Sequence, residues 1–123
     1  VKPPTQRQLR VGEEIRHVLA GLFLRGECHD PDLVHEQITI TEARVAPDLK
    51  RATVYFARLG RSDADKLLPG LKRASAFLRA QVAHALRLRH VPALEFEVDT
   101  SIDYAMHVDT LLRQPAVSRD LNG

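Results

Sequence analysis

Apolar residues return every three or four positions through Val11, Ile15, Val18, Leu19, Leu22 and Phe23, which lines one side of a helix. Ahead of them, Thr5-Gln6-Arg7-Gln8 has the spacing of a capping box, in which a hydroxyl and a side-chain amide satisfy free amides of the first turn. Gly26 is placed to end that helix, and residues 27–37, with Asp30-Pro31-Asp32, read as a loop. The period then changes to two. Ile38-Thr39-Ile40-Thr41 alternates as a half-buried strand, and Ala52, Val54 and Phe56 alternate with Arg51, Thr53 and Tyr55 in a second. Ala46-Pro47-Asp48 favours a turn between them, so the two strands form a hairpin.

Ser62-Asp63-Ala64-Asp65 is suited to cap another helix, which Pro69-Gly70 is expected to break or bend early. Helical spacing resumes with Leu71, Ala74, Leu78, Val82 and Ala85 until Pro92. Leu94, Phe96 and Val98 alternate with Glu95, Glu97 and Asp99 as a third strand, and a last helix is expected from Ser101 through Met106, Leu111 and Leu112. The expected order is α-β-β-α-α-β-α, an α+β domain whose three-stranded sheet is packed by helices on one face. Val11, Ile15, Leu19, Leu22, Ile40, Val54, Phe56, Leu71, Leu78, Val82, Phe96 and Val98 should form its single core.

At 123 residues the chain has room for one domain. Residues 5–114 are expected to fold, with 1–4 and 115–123 as flexible ends. No apolar stretch is long enough to span a bilayer, so no membrane partner is expected. The first residues do not form a secretory signal, and Cys28 has no second cysteine with which to pair, so a reducing cytoplasm is the expected location.

Charge changes the picture more than composition does. The net charge is only +2, yet Lys66 to Leu94 carries six lysines and arginines and no acid, and Glu95, Glu97, Asp99, Asp103 and Asp109 follow. Sorted charge on a small domain creates an electropositive face that attracts polyanions. On a continuous helix Lys72, Arg79 and Arg87 share one sector, Lys66 and Arg73 fall in a neighbouring one, and Arg89 and His90 extend the charge into the next loop. Such side chains neutralise phosphates. The bland alternative is a solvated helix face.

Other chemistry has little support. Glu95, Glu97 and Asp99 share one side of a strand, where carboxylates more often solubilise than bind a cation. His29 and His35 flank a proline-containing loop, and His84 and His90 are six apart, which is poor spacing for shared ligation. Ser75 lacks a nucleophile-elbow context and no glycine-rich phosphate loop follows a strand, so no catalytic residue, metal or cofactor is expected. Aromatics are few, and Tyr55, Tyr104 and the phenylalanines sit mostly where a core wants them, so base stacking on aromatic rings, as in RRM or OB modules, lacks support.

Arg10-Val11 with Ile15, Val45-Ala46-Pro47-Asp48-Leu49 leading to Ala52-Thr53-Val54-Tyr55-Phe56, Leu71-Lys72-Arg73-Ala74-Ser75, Phe77-Leu78-Arg79, Leu86-Arg87-Leu88-Arg89, Val91-Pro92, Phe96 and Asp99-Thr100-Ser101-Ile102 together resemble the ribosome-binding factor A family, from roughly Arg7 to Leu112. The resemblance implies a type II KH-like fold with a kinked helix pair, and a factor that binds the free small (30S) ribosomal subunit through 16S rRNA. It also implies support of late maturation and 5′-end rRNA processing, a part in cold adaptation, and release before translation. The family tends to carry Ala-x-Gly at the kink, where this chain has Ala74-Ser75-Ala76. A bend in 74–77 is therefore expected, shallower than glycine would permit. The residues expected on rRNA are Arg7, Arg10, Lys66, Lys72, Arg73, Arg79, Arg87 and Arg89, with Lys2 nearby, in a monomeric protein. The rival readings are an adaptor whose basic helix meets an acidic protein, and a small α+β enzyme, for which no titratable cluster speaks.

Overall fold

The computed structural model describes residues 2–58 and 60–101. Its elements are α1 (Gln6–Leu24), β1 (Thr39–Val45), β2 (Arg51–Ala57), a 3-10 turn (Ala64–Leu67), α2 (Leu68–Leu86) and β3 (Ala93–Val98). The expected last helix is helical at Ser101, and the rest of it lies outside the described residues, as do both bounds of the C-terminal tail.

The start of α1 is the capping box that its sequence announces. The Thr5 hydroxyl accepts from the Gln8 amide at 3.1 Å, and the Gln8 side chain accepts from the Thr5 amide at 2.9 Å. Gln8 also works in tertiary structure. Its Nε2 donates to the Val45 carbonyl at 2.9 Å, tying the first turn of α1 to the end of β1. Farther along, Gly12 lets the helix lie against β1, because a Cβ there would overlap the Ala43 carbonyl oxygen. The helix closes where Gly26, at φ +67°, donates to Phe23 and Glu27 donates to Leu22. This pair of bonds satisfies carbonyls that the helix end leaves free.

The sheet has the order β1-β2-β3, with β1 antiparallel and β3 parallel to the central β2. Thr41 is bulged out between Ile40 and Glu42. Ile40, Val45, Ala52, Val54, Phe56 and Leu94 point into the core with Ile15, Leu19, Leu71, Leu78 and Val82 from the helices. Both helices therefore cover one face, and the other face carries Glu42, Arg44, Thr53, Tyr55, Glu95 and Glu97. There the Arg44 guanidinium sits 5.2 Å above the Tyr55 ring and Arg51 lies 3.6 Å from Glu95.

Four expectations need correction. Phe96 and Val98 are only half-buried, packed against the rim of the core, because β3 is an edge strand covered, among the described residues, by α2 alone of the two helices. Of the expected helix pair, the first is a single 3-10 turn that runs directly into α2. Pro69 does not interrupt the helix because it occupies the first turn, where no intrahelical partner exists for an N–H. The helix then continues unbroken through Ala74, Ser75 and Ala76, in keeping with the helix preference of alanine. Arg87 is not on the helical face at all. It is the residue that ends α2, at φ +52° with its amide bonded to Ala83.

Candidate nucleic-acid interface

The six cations of the acid-free stretch end up in unlike surroundings. Arg73 lies beside the loop that precedes β1, where its Nε and Nη2 donate to the two Asp30 oxygens at 3.0 and 2.9 Å and Nη2 also reaches Asp32 at 2.5 Å. Those bonds hold the Asp30 carboxyl below its usual range and push the guanidinium pKa upward. Gly70 leaves room for this loop, with Leu33 and Asp30 atoms about 3 Å from where its Cβ would be. Lys66 stands 3.8 Å from Asp63. Asp63 also accepts from Arg58 at 3.1 Å and Arg61 at 2.8 Å, so its carboxylate serves these cations and makes no cap bond to the 3-10 turn. Arg58 itself is buried, with Glu36 as its second carboxylate. Its charge was not singled out from the sequence, where it follows β2 without a helical or strand signature.

At the other end of α2 the arrangement is the reverse. A concavity of about 670 Å³ opens between the first turn of α1, the β1–β2 turn, α2 and the segment leading into β3. Arg7, Lys50, Arg79, Arg89 and His90 surround it, and Asp48 is its one carboxylate among the described residues. Its apolar walls come from Val11, Leu49, Leu88, Val91 and Pro92. Three contacts fix its geometry. The Gln8–Val45 bond anchors α1 beside the hairpin. The Ala93 amide donates to the Lys50 carbonyl at 2.9 Å, which brings the hairpin turn to the head of β3. Arg79 donates from Nε and Nη2 to the Val91 carbonyl at 3.2 and 2.7 Å, which secures that segment to α2.

Arg7, Lys50, Arg79 and Arg89 are all exposed, and among the described residues none forms an ion pair. Of the residues expected on rRNA, the structure thus gathers Arg7, Arg79 and Arg89. Arg10 is exposed on α1 but does not line the concavity. Lys72 faces a separate hollow beside Leu94, Glu95 and Phe96, and Lys66 and Arg73 are matched by acids. Lys50 was missed. The signal available for it is the Lys50-Arg51 pair directly after a turn, a place where a cation is held out from the sheet.

No described helix is long and apolar enough to cross a membrane, and no group of three or more described His, Cys, Asp or Glu residues is placed to hold a metal ion. Cys28 is buried, and desolvation raises its thiol pKa.

Residues 7–112 match the family model described as ribosome-binding factor A. The chain belongs to the ribosome-binding factor A family. It is 52% identical over 121 residues to ribosome-binding factor A of Paramagnetospirillum magneticum, covering 98% of this chain and 85% of that protein. The homologue from Rhodospirillum rubrum is 52% identical over 120 residues, covering 98% and 73% respectively. Among solved structures, the crystal structure of ribosome-binding factor A from Thermus thermophilus superposes with a TM-score of 0.61 at 27% identity, covering 74% of this chain and 94% of that one. A homology model of the Thermus thermophilus factor, fitted into the cryo-EM map of a 30S complex, gives 0.58 at 26% identity, covering 72% and 91%.

Proposed function

We propose that this ribosome-binding factor A family member binds the free small ribosomal subunit by its 16S rRNA, and that it supports late maturation and 5′-end processing without catalysing a reaction itself. The observation that carries this reading is the convergence of Arg7, Lys50, Arg79 and Arg89 on one concavity without carboxylate partners among the described residues. Cations held on a rigid scaffold neutralise backbone phosphates at little ordering cost, and each contact releases condensed counterions. The open sheet face carries no comparable cluster of free cations, because Arg44 is paired with Glu42 at 2.9 Å and Arg51 lies 3.6 Å from Glu95. The relative fitted into a 30S complex supports the choice of partner.

The reading further includes action as a monomer in the cytoplasm and a part in cold adaptation. Sedimentation of a cell extract through sucrose, with immunodetection of the factor, tests the partner. It should travel with free small subunits and leave them as salt is raised. Migration only at the top of the gradient in low salt, together with capture by an acidic protein, would favour the adaptor reading instead.

A further inference from the structure

The concavity holds more than a phosphate needs. A purely electrostatic interface is a ridge of cations, whereas this one has Val11 and Pro92 buried in its floor and Leu49, Leu88 and Val91 half-buried in its walls. Its volume of about 670 Å³ falls within the range of sites that enclose small organic ligands, roughly 300–1,000 Å³. Of the two non-glycine residues with positive φ among the described residues, one lines the concavity and the other ends α2 just before it. Leu49, at φ +61°, supplies a wall, and Arg87, at φ +52°, directs the chain into Leu88 and Arg89. Left-handed backbone is unfavourable for such side chains, and conformations of this kind collect at binding sites.

We propose that the concavity takes one unstacked nucleotide of single-stranded RNA, with its base inside and its flanking phosphates on the rim. This rests on the rRNA-binding reading and specifies which feature of the RNA is bound. Arg79 is held by its two bonds to the Val91 carbonyl, so its guanidinium is an oriented plane; His90 offers another flat surface. Bases stack on such planes as well as on aromatic rings. Arg7, Lys50 and Arg89 approach from three separate elements, which suits phosphates on either side of an extruded base. Asp48 is the acceptor at the mouth for a base N–H; its Oδ1 already takes the Lys50 amide at 3.0 Å, which leaves the other carboxylate oxygen for the base. A duplex cannot present a base this way, because its bases are stacked and paired.

The test compares three probes on the full chain by fluorescence anisotropy: ten-nucleotide oligoadenylate, a ten-unit abasic ribose-phosphate strand of equal charge, and a ten-base-pair RNA duplex. Oligoadenylate should bind about tenfold or more tighter than the abasic strand, the size expected for loss of base stacking. Both single strands should show the same salt slope. Leu88→Trp, which adds bulk to the wall, should bring oligoadenylate down to the abasic level while leaving the slope unchanged. Equal affinity of the native protein for oligoadenylate and the abasic strand overturns the nucleotide pocket but leaves phosphate binding standing. Preference for the duplex also overturns it, and so does saturation by 5′-AMP as tight as by the ten-mer, which would mark a small-molecule site. Absence of binding to any of the probes, combined with no co-sedimentation with small subunits, removes the rRNA reading as well.

Discussion

The two ends of α2 carry the same kind of charge and do opposite things with it. Near its start, Lys66 and Arg73, with Arg58 and Arg61 from the preceding segment, are matched to Asp63, Glu36, Asp30 and Asp32. Near its end, Arg79 and Arg89 meet Arg7 and Lys50 and no ion-pair partner among the described residues. An acid-free run in sequence is therefore not an acid-free surface. The loop before β1 and Asp63, just ahead of the 3-10 turn, supply the carboxylates at one end, while the hairpin and α1 add cations at the other. The paired end is a clasp that fastens loops to the helix, and the other end presents cations that form no ion pair among the described residues.

The largest expected effect is at the clasp. Arg58→Ala would strip Glu36 and Asp63 of a buried cation, and denaturant melts should show a loss of about 2–4 kcal/mol, since removing one member of a buried charge group leaves the rest uncompensated. A loss within about 0.5 kcal/mol would make Arg58 an ordinary surface residue.

Gly12→Ala probes the other end through its support. The added methyl would displace α1 from the Ala43 carbonyl, with an expected cost of about 1–3 kcal/mol from overpacking. It should also weaken binding to small subunits, because Val11 and Arg7 travel with that helix. Unchanged stability would mean that α1 and β1 are farther apart than described.

A smaller effect concerns pH. Hydrogen bonds from Arg73, above all, hold Asp30 below its usual pKa of 3.8, and Arg61 does the same for Asp63. A carboxylate whose pKa is lowered by folding stabilises the native state above its unfolded pKa, and that contribution disappears as pH falls through the folded value. The melting temperature should therefore drop below about pH 4, and Arg73→Gln should remove part of that drop while leaving affinity for small subunits unchanged. An acid profile identical in the variant would show that the exposed clasp contributes nothing in solution.

Much of the fold is legible in residue order. The Thr5–Gln8 capping box, the alternation of Ala52, Val54 and Phe56 and the turn at Ala46-Pro47-Asp48 are local signals, and each is found where it was expected. What local reasoning misjudged depends on position within an element. Pro69 breaks a helix interior but begins a helix harmlessly, and the difference rests on where the first turn falls. Arg87 continues the helical spacing of Lys72 and Arg79 on paper, yet the chain turns left-handed there. The candidate site was only half legible for a similar reason. Arg7, Arg79 and Arg89 could be named one by one, but their meeting with Lys50, and the capture of Arg73 by Asp30 and Asp32, depend on tertiary neighbours more than 40 residues away in sequence for Arg73 and Asp30.

The central claim, that the unpaired end of α2 meets RNA phosphates and the paired end does not, is tested most directly by the salt dependence of binding to isolated small subunits. Arg7, Lys50 and Arg89 changed together to Gln should flatten the log–log slope by about two units, at roughly 0.7 per contact with single-stranded RNA. Arg61, Lys66 and Arg73 changed together to Gln should leave the slope at its native value. A native slope in the first variant, or an equal flattening in the second, would contradict the account.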